Sequence, residues 1–184
     1  PPTWTARRDD ALRLASRADL VERVRASEGV AVATPRAHVG GLLRLGTRSS
    51  HVSLTGVDAT TEPLVCRYVS EVQEGRYLEA GERGAVVLGR TVADRLRARI
   101  GDELVVTSVD DEGEMQSILL EIVGIVTTGS RAVDAGIAHV ALADVEQLSG
   151  LEGPAEISII LGDVATLETT RGELSAMVSG GDEV

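Results

Sequence analysis

The chain has 184 residues, of which 43% are hydrophobic, a proportion that is typical of a globular domain and too high for a disordered chain. Its formal net charge is −11 at pH 7, and residues 101–184 carry 17 acidic residues and only two arginines. This acidity argues against binding to nucleic acids or directly to an anionic lipid surface, because phosphate groups require clustered cations.

The hydrophobic residues are almost all aliphatic, since the chain has no Phe, one Trp and two Tyr. A core of Val, Leu, Ile and Ala favours pleated sheets, so we expect a sheet-rich α+β fold. The shortage of aromatic residues argues against a sugar site or a base-stacking surface. The single cysteine, Cys66, excludes an internal disulfide, and its apolar neighbours Leu64 and Val65 indicate a buried thiol.

The first third of the chain predicts a β-α-β unit followed by a hairpin. Its pattern indicates a strand at 10–16, a helix at 20–27, and strands at 30–34, 38–45 and 52–57. Apolar and polar residues alternate over 10–16 as in a strand, although the same segment also has a helical stripe. Asp19 and Glu22 have the spacing of a capping box, which favours a new helix after Asp19. Pro35 is predicted to end one strand, and Gly40-Gly41 to form a bulge in the next.

The remainder of the chain supplies a β-rich middle and a final strand and helix. Residues 58–84 are rich in loop-forming residues and contain one short helix. Beyond them we predict strands at 85–88, 103–108, 118–126, 137–142 and 157–161, and helices at 92–99, 143–149 and 163–178. The closing SGGDEV sequence is predicted to be a flexible acidic tail.

Sequence motifs for catalysis and cofactor binding are missing from the chain. It has no GxxxxGK[ST], GxGxxG, HExxH or GxSxG sequence. The three histidines, His38, His51 and His139, are scattered without the spacing of a metal site. The stretch around Asp110 imitates part of a calcium loop, but Leu119 stands where such a loop needs a bidentate Glu. We therefore expect no catalytic residue, no cofactor and no metal site.

An acidic hairpin tip at 109–116 is the main candidate for contact with another molecule. The simplest interpretation is a solvated turn between two strands. The alternative is a loop that binds a partner, and its charge favours a basic partner. The candidate contact residues are Asp110, Asp111, Glu112, Glu114 and Met115.

Several segments, in a fixed order, resemble a family of membrane transporters. They are EGVAVATPR, VSLTGVD, EGRYLEAGERGAVVLGRTVADRLRARIGDELVV and ILLEIVGIVTTG, followed by a strand and a helix. Over residues 10–178 their order and spacing resemble the periplasmic core domain of ABC-transporter permeases of the LolC/LolE and MacB (FtsX-like) type. The residues that match the family pattern are Gly56, Asp58, Gly75, Leu88, Gly89, Ala93, Leu96, Gly101, Asp102, Val123 and Gly124.

The resemblance implies a fold of two parts. A mixed β-α-β subdomain near the membrane (Porter-like) would contain residues 1–58 and 156–184, and an inserted β-rich subdomain (Sabre-like) would contain residues 59–155. The matching residues make sense as scaffold, because the glycines stand where a turn or a close approach favours a residue without a Cβ. None of them requires a catalytic role.

The resemblance also implies transport rather than an enzyme activity of this domain. The chain would lie on the periplasmic side of the bacterial inner membrane, attached through flanking transmembrane helices. A separate nucleotide-binding domain or subunit would hydrolyse ATP, and a second permease would complete the transporter. The domain would transmit movement and handle a lipoprotein or another exported substrate; alternatively, it would bind and regulate an extracytoplasmic protein, as FtsX-like permeases do. LolC-like proteins capture a lipoprotein carrier with an apolar and basic hairpin loop, and the acidic tip at 109–116 departs from that pattern.

Overall fold

The structure, a computed structural model, describes residues 19–179. The strand predicted at 10–16 and residues 180–184 of the predicted tail lie outside the described residues. The strands are β1 (Val30–Leu45), β2 (Arg48–Val57), β3 (Val72–Gly75), β4 (Ala85–Gly89), β5 (Glu103–Val109), β6 (Met115–Val126), β7 (Ala138–Ala141) and β8 (Glu156–Leu161). The helices are α1 (Leu20–Arg25), α2 (Glu62–Val65), α3 (Arg90–Leu96), α4 (Arg131–Asp134), α5 (Leu142–Ser149) and α6 (Leu167–Ser179). The α+β fold expected from the sequence is confirmed.

Six of these strands pair in a closed ring, which we call the barrel. Antiparallel pairs join β1 to β2, β4 to β7, β5 to β6 and β1 to β5. Parallel pairs join β2 to β7 and β4 to β6, and they complete the ring. β3, which lies in a segment expected to be mostly loop, pairs with the C-terminal part of β6. Because the ring has no terminal strand, most of its backbone groups find partners within it.

β1 belongs to two parts of the molecule. Residues 30–36 pair with β8, whereas residues 36–45 pair with β2. The first half of β1, together with β8, α1 and α6, forms a unit that we call the lobe. Arg36 is therefore the residue at which β1 leaves the lobe and enters the barrel.

Two sequence-based predictions for β1 are wrong. The strand does not end at Pro35, which pairs with Ile157 where β1 has a neighbour on one side only. A strand tolerates a residue without an N–H at such a position. No bulge forms at Gly40-Gly41, because the register with β2 is unbroken over residues 36–45. Gly41 instead faces the barrel interior, where a Cβ would come within 3.1 Å of side chains on β2 and β5.

Three apolar clusters hold the fold. The first fills the barrel, where α3 and α5 contribute Val92, Leu96, Val145 and Leu148 to inward-facing strand residues. The second lies outside β4, β6 and β7, under residues 59–78. The third joins the lobe helices to β1 and β8. β4 separates the first two clusters, so that both of its faces are buried, and this explains its uninterrupted apolar sequence AVVL.

A substitution at Gly89, at the end of β4, tests how closely α4 packs on the barrel. A Cβ at this position would overlap the carbonyl oxygen of Asp134, so the backbone of α4 would have to move. We predict that Gly89→Ala lowers the free energy of unfolding by about 1–3 kcal/mol. Gly40→Ala is the matched control, because no atom lies within 4 Å of a Cβ there. Urea unfolding followed by circular dichroism measures both; equal effects of the two substitutions would contradict the close approach.

Candidate partner-contact site

The acidic tip predicted from the sequence is the turn between β5 and β6. The two strands pair from Glu103↔Glu121 to Val109↔Met115, which leaves residues 110–114 as the tip. Asp110 organises this turn. Its Oδ1 accepts hydrogen bonds from the backbone N–H of Glu112 (3.1 Å) and Glu114 (2.8 Å).

The carboxylate of Asp110 thus has a structural role in the turn. Its Oδ2 accepts a hydrogen bond of 2.7 Å from Gln116 Nε2. The hydrogen bonds from Gln116 and then from the backbone of Glu114 lower the pKa of the Asp110 carboxyl group. Three directed hydrogen bonds occupy this carboxylate and set the shape of the turn.

The tip is also anchored to the rest of the domain. The backbone N–H of Asp111 donates a hydrogen bond of 3.0 Å to the carbonyl oxygen of Ser149, the last residue of α5. The next residue, Gly150, lies so close that a Cβ there would overlap the carboxylate of Asp111. The turn therefore rests on the C-terminal end of α5.

The other predicted contact residues face solvent. Asp111, Glu112 and Glu114 are exposed, and Met115 is 77% exposed. Opposite Met115, Val109 is 60% exposed. The structure thus brings four predicted contact residues together at one end of the barrel and adds Val109, which belongs to the predicted tip but is not among the predicted contact residues.

The residues that match the family pattern lie elsewhere. Leu88, Ala93 and Leu96 belong to the cluster inside the barrel, and Val123 belongs to the cluster outside it. Gly56, Gly89 and Gly124 are buried in barrel strands, Gly75 ends β3, and Asp58, Gly101 and Asp102 stand in the connecting segments. Gly75 has φ +75° and approaches the Val123 carbonyl oxygen so closely that a Cβ would overlap it. Asp102 accepts a hydrogen bond of 2.8 Å from the backbone N–H of Arg99. The contacts of these residues are structural.

Sequence reasoning missed an ionic cluster at the junction of lobe and barrel. Glu62 in α2 is fully buried, and Arg36 donates to both of its carboxylate oxygens, at 3.0 and 2.8 Å. A third nitrogen of Arg36 donates to Glu156 of β8 at 3.3 Å. The hydrogen bonds with Glu62 raise the pKa of Arg36. We call these three residues the Arg36 clamp; the sequence gives no signal for it, because acids are abundant and the partners are far apart in the chain.

His139 forms a second buried polar group. Tyr77 Oη lies 2.7 Å from its Nδ1, and Tyr68 Oη lies 3.1 Å from its Nε2. The imidazole is 3% exposed, and burial lowers its pKa to about 4. His139 thus stays neutral at neutral pH and bridges the only two tyrosines of the chain.

The described part of the chain offers no metal centre and no membrane span. Among residues 19–179, no three His, Cys, Asp or Glu side chains are grouped so that they could hold a metal ion. Within the same residues, no helix has the length and apolar character needed to cross a membrane.

Comparison with known proteins decides the family. A family model described as the MacB-like periplasmic core domain matches residues 3–177. The chain belongs to this family. As a MacB-like periplasmic core domain, it is an extracytoplasmic domain of the ABC-transporter permease type. No curated protein matches the chain.

Solved structures agree with this fold. The extracellular domain of the noncanonic ABC-type transporter YknZ from Gram-positive bacteria has a TM-score of 0.70 and 13% identity, over 89% of this chain and 82% of that chain. The periplasmic region of MacB from Actinobacillus actinomycetemcomitans has a TM-score of 0.64 and 14% identity, over 88% of this chain and 73% of that chain. At such low identities, these similarities establish the shared fold of the MacB-like domain and nothing finer.

The buried histidine predicts a pH dependence of stability. The unfolded chain protonates His139 near pH 6.5, whereas the folded domain does so only near pH 4. The free energy of unfolding should therefore fall as the pH drops from 6.5 to 4, by about 3 kcal/mol in total. Above pH 6.5 this residue should not make the free energy of unfolding depend on pH. Urea unfolding at several pH values measures the slope.

Two variants isolate this effect from that of the carboxylates. His139→Gln should flatten the slope between pH 6.5 and 4, whereas His51→Gln, at an exposed site, should keep it. An unchanged slope in the His139→Gln variant would show that the buried imidazole does not cause the pH dependence.

Proposed function

We propose that this domain transmits ATP-driven movement from the membrane part of its permease to a lipoprotein or another exported substrate. The observation that carries the proposal is the sharing of β1 between lobe and barrel. A displacement of the lobe is passed to the barrel through one continuous strand. In this proposal a nucleotide-binding subunit hydrolyses ATP, and a second permease completes the transporter.

The Arg36 clamp supports a stiff connection between the two parts. The lobe has its own apolar cluster, separate from those of the barrel. Lobe and barrel are joined at β1 by polar contacts, which include the Arg36 clamp and a hydrogen bond of 2.8 Å from Thr61 Oγ1 to Thr34 Oγ1. Directed contacts of this kind fix an angle better than apolar packing does.

The division into Porter-like and Sabre-like subdomains belongs to the same proposal. Residues 1–58 and 156–184 would form the part near the membrane, and residues 59–155 the inserted part. The sheet connects them across these boundaries, because β1 pairs with β5 and β2 pairs with β7. Movement of one part is therefore coupled to the other through strand pairs as well as through the clamp.

Spin labels on the full-length permease, assembled with its nucleotide-binding subunit in nanodiscs, test whether movement is transmitted from the lobe to the barrel. In a Cys66→Ala background, Ser53→Cys labels the barrel and Ser175→Cys labels the lobe, both at exposed positions. Pulsed electron resonance measures the distances. We expect the distance between the barrel labels of the two permeases to change when a non-hydrolysable ATP analogue binds, with lobe and barrel of one permease at constant separation.

A second variant for this experiment, Arg36→Met with Glu62→Met, removes both charges of the buried pair. We expect the lobe-to-barrel distance distribution to broaden in this variant, because the directed contacts are gone. If the distance between the barrel labels of the two permeases does not change when the nucleotide binds, the proposed transmission of movement is wrong.

A second function is favoured by the exposed hairpin tip. A surface that combines Met115 and Val109 with exposed acids suits a protein partner, so the domain would bind and regulate an extracytoplasmic protein in the manner of FtsX-like permeases. Binding of a basic protein would weaken with salt, whereas capture of a lipid-anchored cargo would need an apolar groove.

A further inference from the structure

One face of the β5–β6 hairpin is uncovered within residues 19–179. Successive side chains of a strand point to opposite sides, and directly paired residues of two strands share a side. Six residues therefore point the same way, away from the barrel interior, and we call them the hairpin face: Val105, Thr107, Val109, Met115, Ser117 and Leu119. None of them is fully buried, and Met115, Val109 and Leu119 are more than half exposed.

The hairpin face has two apolar residue pairs, and a pair of uncharged polar residues lies between them. Val109 pairs with Met115, and Val105 pairs with Leu119. The two pairs are four residues apart along the strand, which corresponds to about 13 Å. Between them the hydroxyl groups of Thr107 and Ser117 lie 2.9 Å apart and form a hydrogen bond with each other. A partner can therefore cover Thr107 and Ser117 while their hydroxyl groups stay hydrogen-bonded to each other.

Acidic residues border the hairpin face at both ends. Glu112 and Glu114 stand at the tip, and Glu103 lies directly opposite Glu121 at the base, all four exposed. None of these carboxylates forms an ion pair with any residue from 19 to 179. Like charges that face each other across two strands destabilise a sheet. The facing carboxylates at the base thus disfavour the sheet, and no ion pair within residues 19–179 offsets them.

Two arginines lie near this pair: Arg44 on β1, which is exposed and pairs with Val105 of the hairpin face, and Arg76. Arg76 is close enough to Glu121 for the carboxylate to help raise its pKa, but the hydrogen bonds with Glu82 contribute most. Two nitrogens of Arg76 donate to the two oxygens of Glu82, at 2.8 and 2.6 Å. The Arg76 guanidinium is therefore engaged elsewhere. The two carboxylates at the base outnumber the single charge of Arg44, so this end of the hairpin face is negative on balance.

We propose that the hairpin face binds a basic amphipathic segment of an extracytoplasmic partner protein. The segment would place two apolar side chains about 13 Å apart on the two apolar pairs. Arg or Lys residues at each end would meet the acids of the tip and of the base. In extended form this takes about nine residues. The inference rests on the second of the two functions proposed above and specifies the chemistry of the partner.

Charge and rigidity both favour this occupant. A second copy of the chain would bring a net charge of −11 and the same two acidic ends against the face. An anionic membrane would be repelled in the same way. The hydrogen bonds of Asp110 and the contact of Asp111 with α5 hold the tip in place before binding, so that little conformational entropy is lost when a partner docks.

A synthetic peptide tests the proposal directly. The fluorescein-labelled peptide RRLTVTLRR has leucines four residues apart between two pairs of arginines, and EELTVTLEE has the opposite charge. Fluorescence anisotropy measures their binding to the 184-residue chain. We expect the basic peptide to bind, more weakly as salt rises, and the acidic peptide not to bind. Absence of binding by the basic peptide would overturn the proposal.

Variants show whether the peptide binds at the hairpin face. Glu103→Gln with Glu121→Gln should weaken binding about fivefold, as expected for the loss of two exposed ion pairs. Met115→Ser with Leu119→Ser should weaken it by a similar factor. Glu168→Gln with Glu173→Gln removes two exposed acids of α6 and serves as the matched control, without effect. Equal losses in the control, or none in the Met115 and Leu119 variant, would overturn the proposal.

Thermal melting separates a contact role from a structural role. Removing the paired charges with Glu103→Gln and Glu121→Gln should keep or raise the melting temperature while it weakens peptide binding. A fall in both would instead indicate damage to the hairpin and contradict the proposal.

Two further outcomes would assign the face to another occupant. A dimer in sedimentation equilibrium that Met115→Ser abolishes would assign the face to a second copy. Binding to phosphatidylglycerol vesicles that Met115→Ser abolishes would assign it to lipid. The spin-label experiment contains no peptide and no partner protein, so the two proposals can fail separately.

Discussion

A carboxylate without access to solvent constrains how the two parts of this domain meet. Glu62 is fully buried, and a buried charge is tolerated only when it is paired and hydrogen-bonded. Arg36 meets that requirement with two nitrogens on two oxygens. The same arginine stands where β1 changes its neighbour from β8 to β2. Satisfying the charge therefore also fixes where the lobe ends and the barrel begins.

The rest of the structure follows from that junction. The closed ring gives the barrel a stiff core of aliphatic residues, and α5 supports the hairpin tip through Ser149. In the proposed function, movement that enters through the lobe reaches the barrel by way of β1, and the ring and α5 connect the barrel to the hairpin face. Under the proposed function such a domain carries force and presents a surface. The glycines that match the family pattern act in packing and turns.

Local sequence patterns predicted the elements whose cause is local. The apolar run of β4 and the hairpin at 109–116 were both predictable, because burial on both faces and turn chemistry leave a short-range pattern in the sequence. Closure of the barrel was not predictable, because β2–β7 and β1–β5 pairs join residues far apart in the chain. The continuation of β1 through Pro35 was missed for the same reason, since only the absence of a second neighbour makes the proline acceptable.

The central claim, that the Arg36 clamp couples lobe to barrel, is tested most directly by hydrogen exchange and urea unfolding of two variants. Arg36→Met should lower the free energy of unfolding by about 3–5 kcal/mol, because it leaves the Glu62 carboxylate buried and unpaired. Arg36→Met with Glu62→Met should recover most of that loss, yet the amides of β8 should exchange faster than in the unsubstituted chain while those of β4 do not. Unchanged protection of β8 in the double variant would contradict the account.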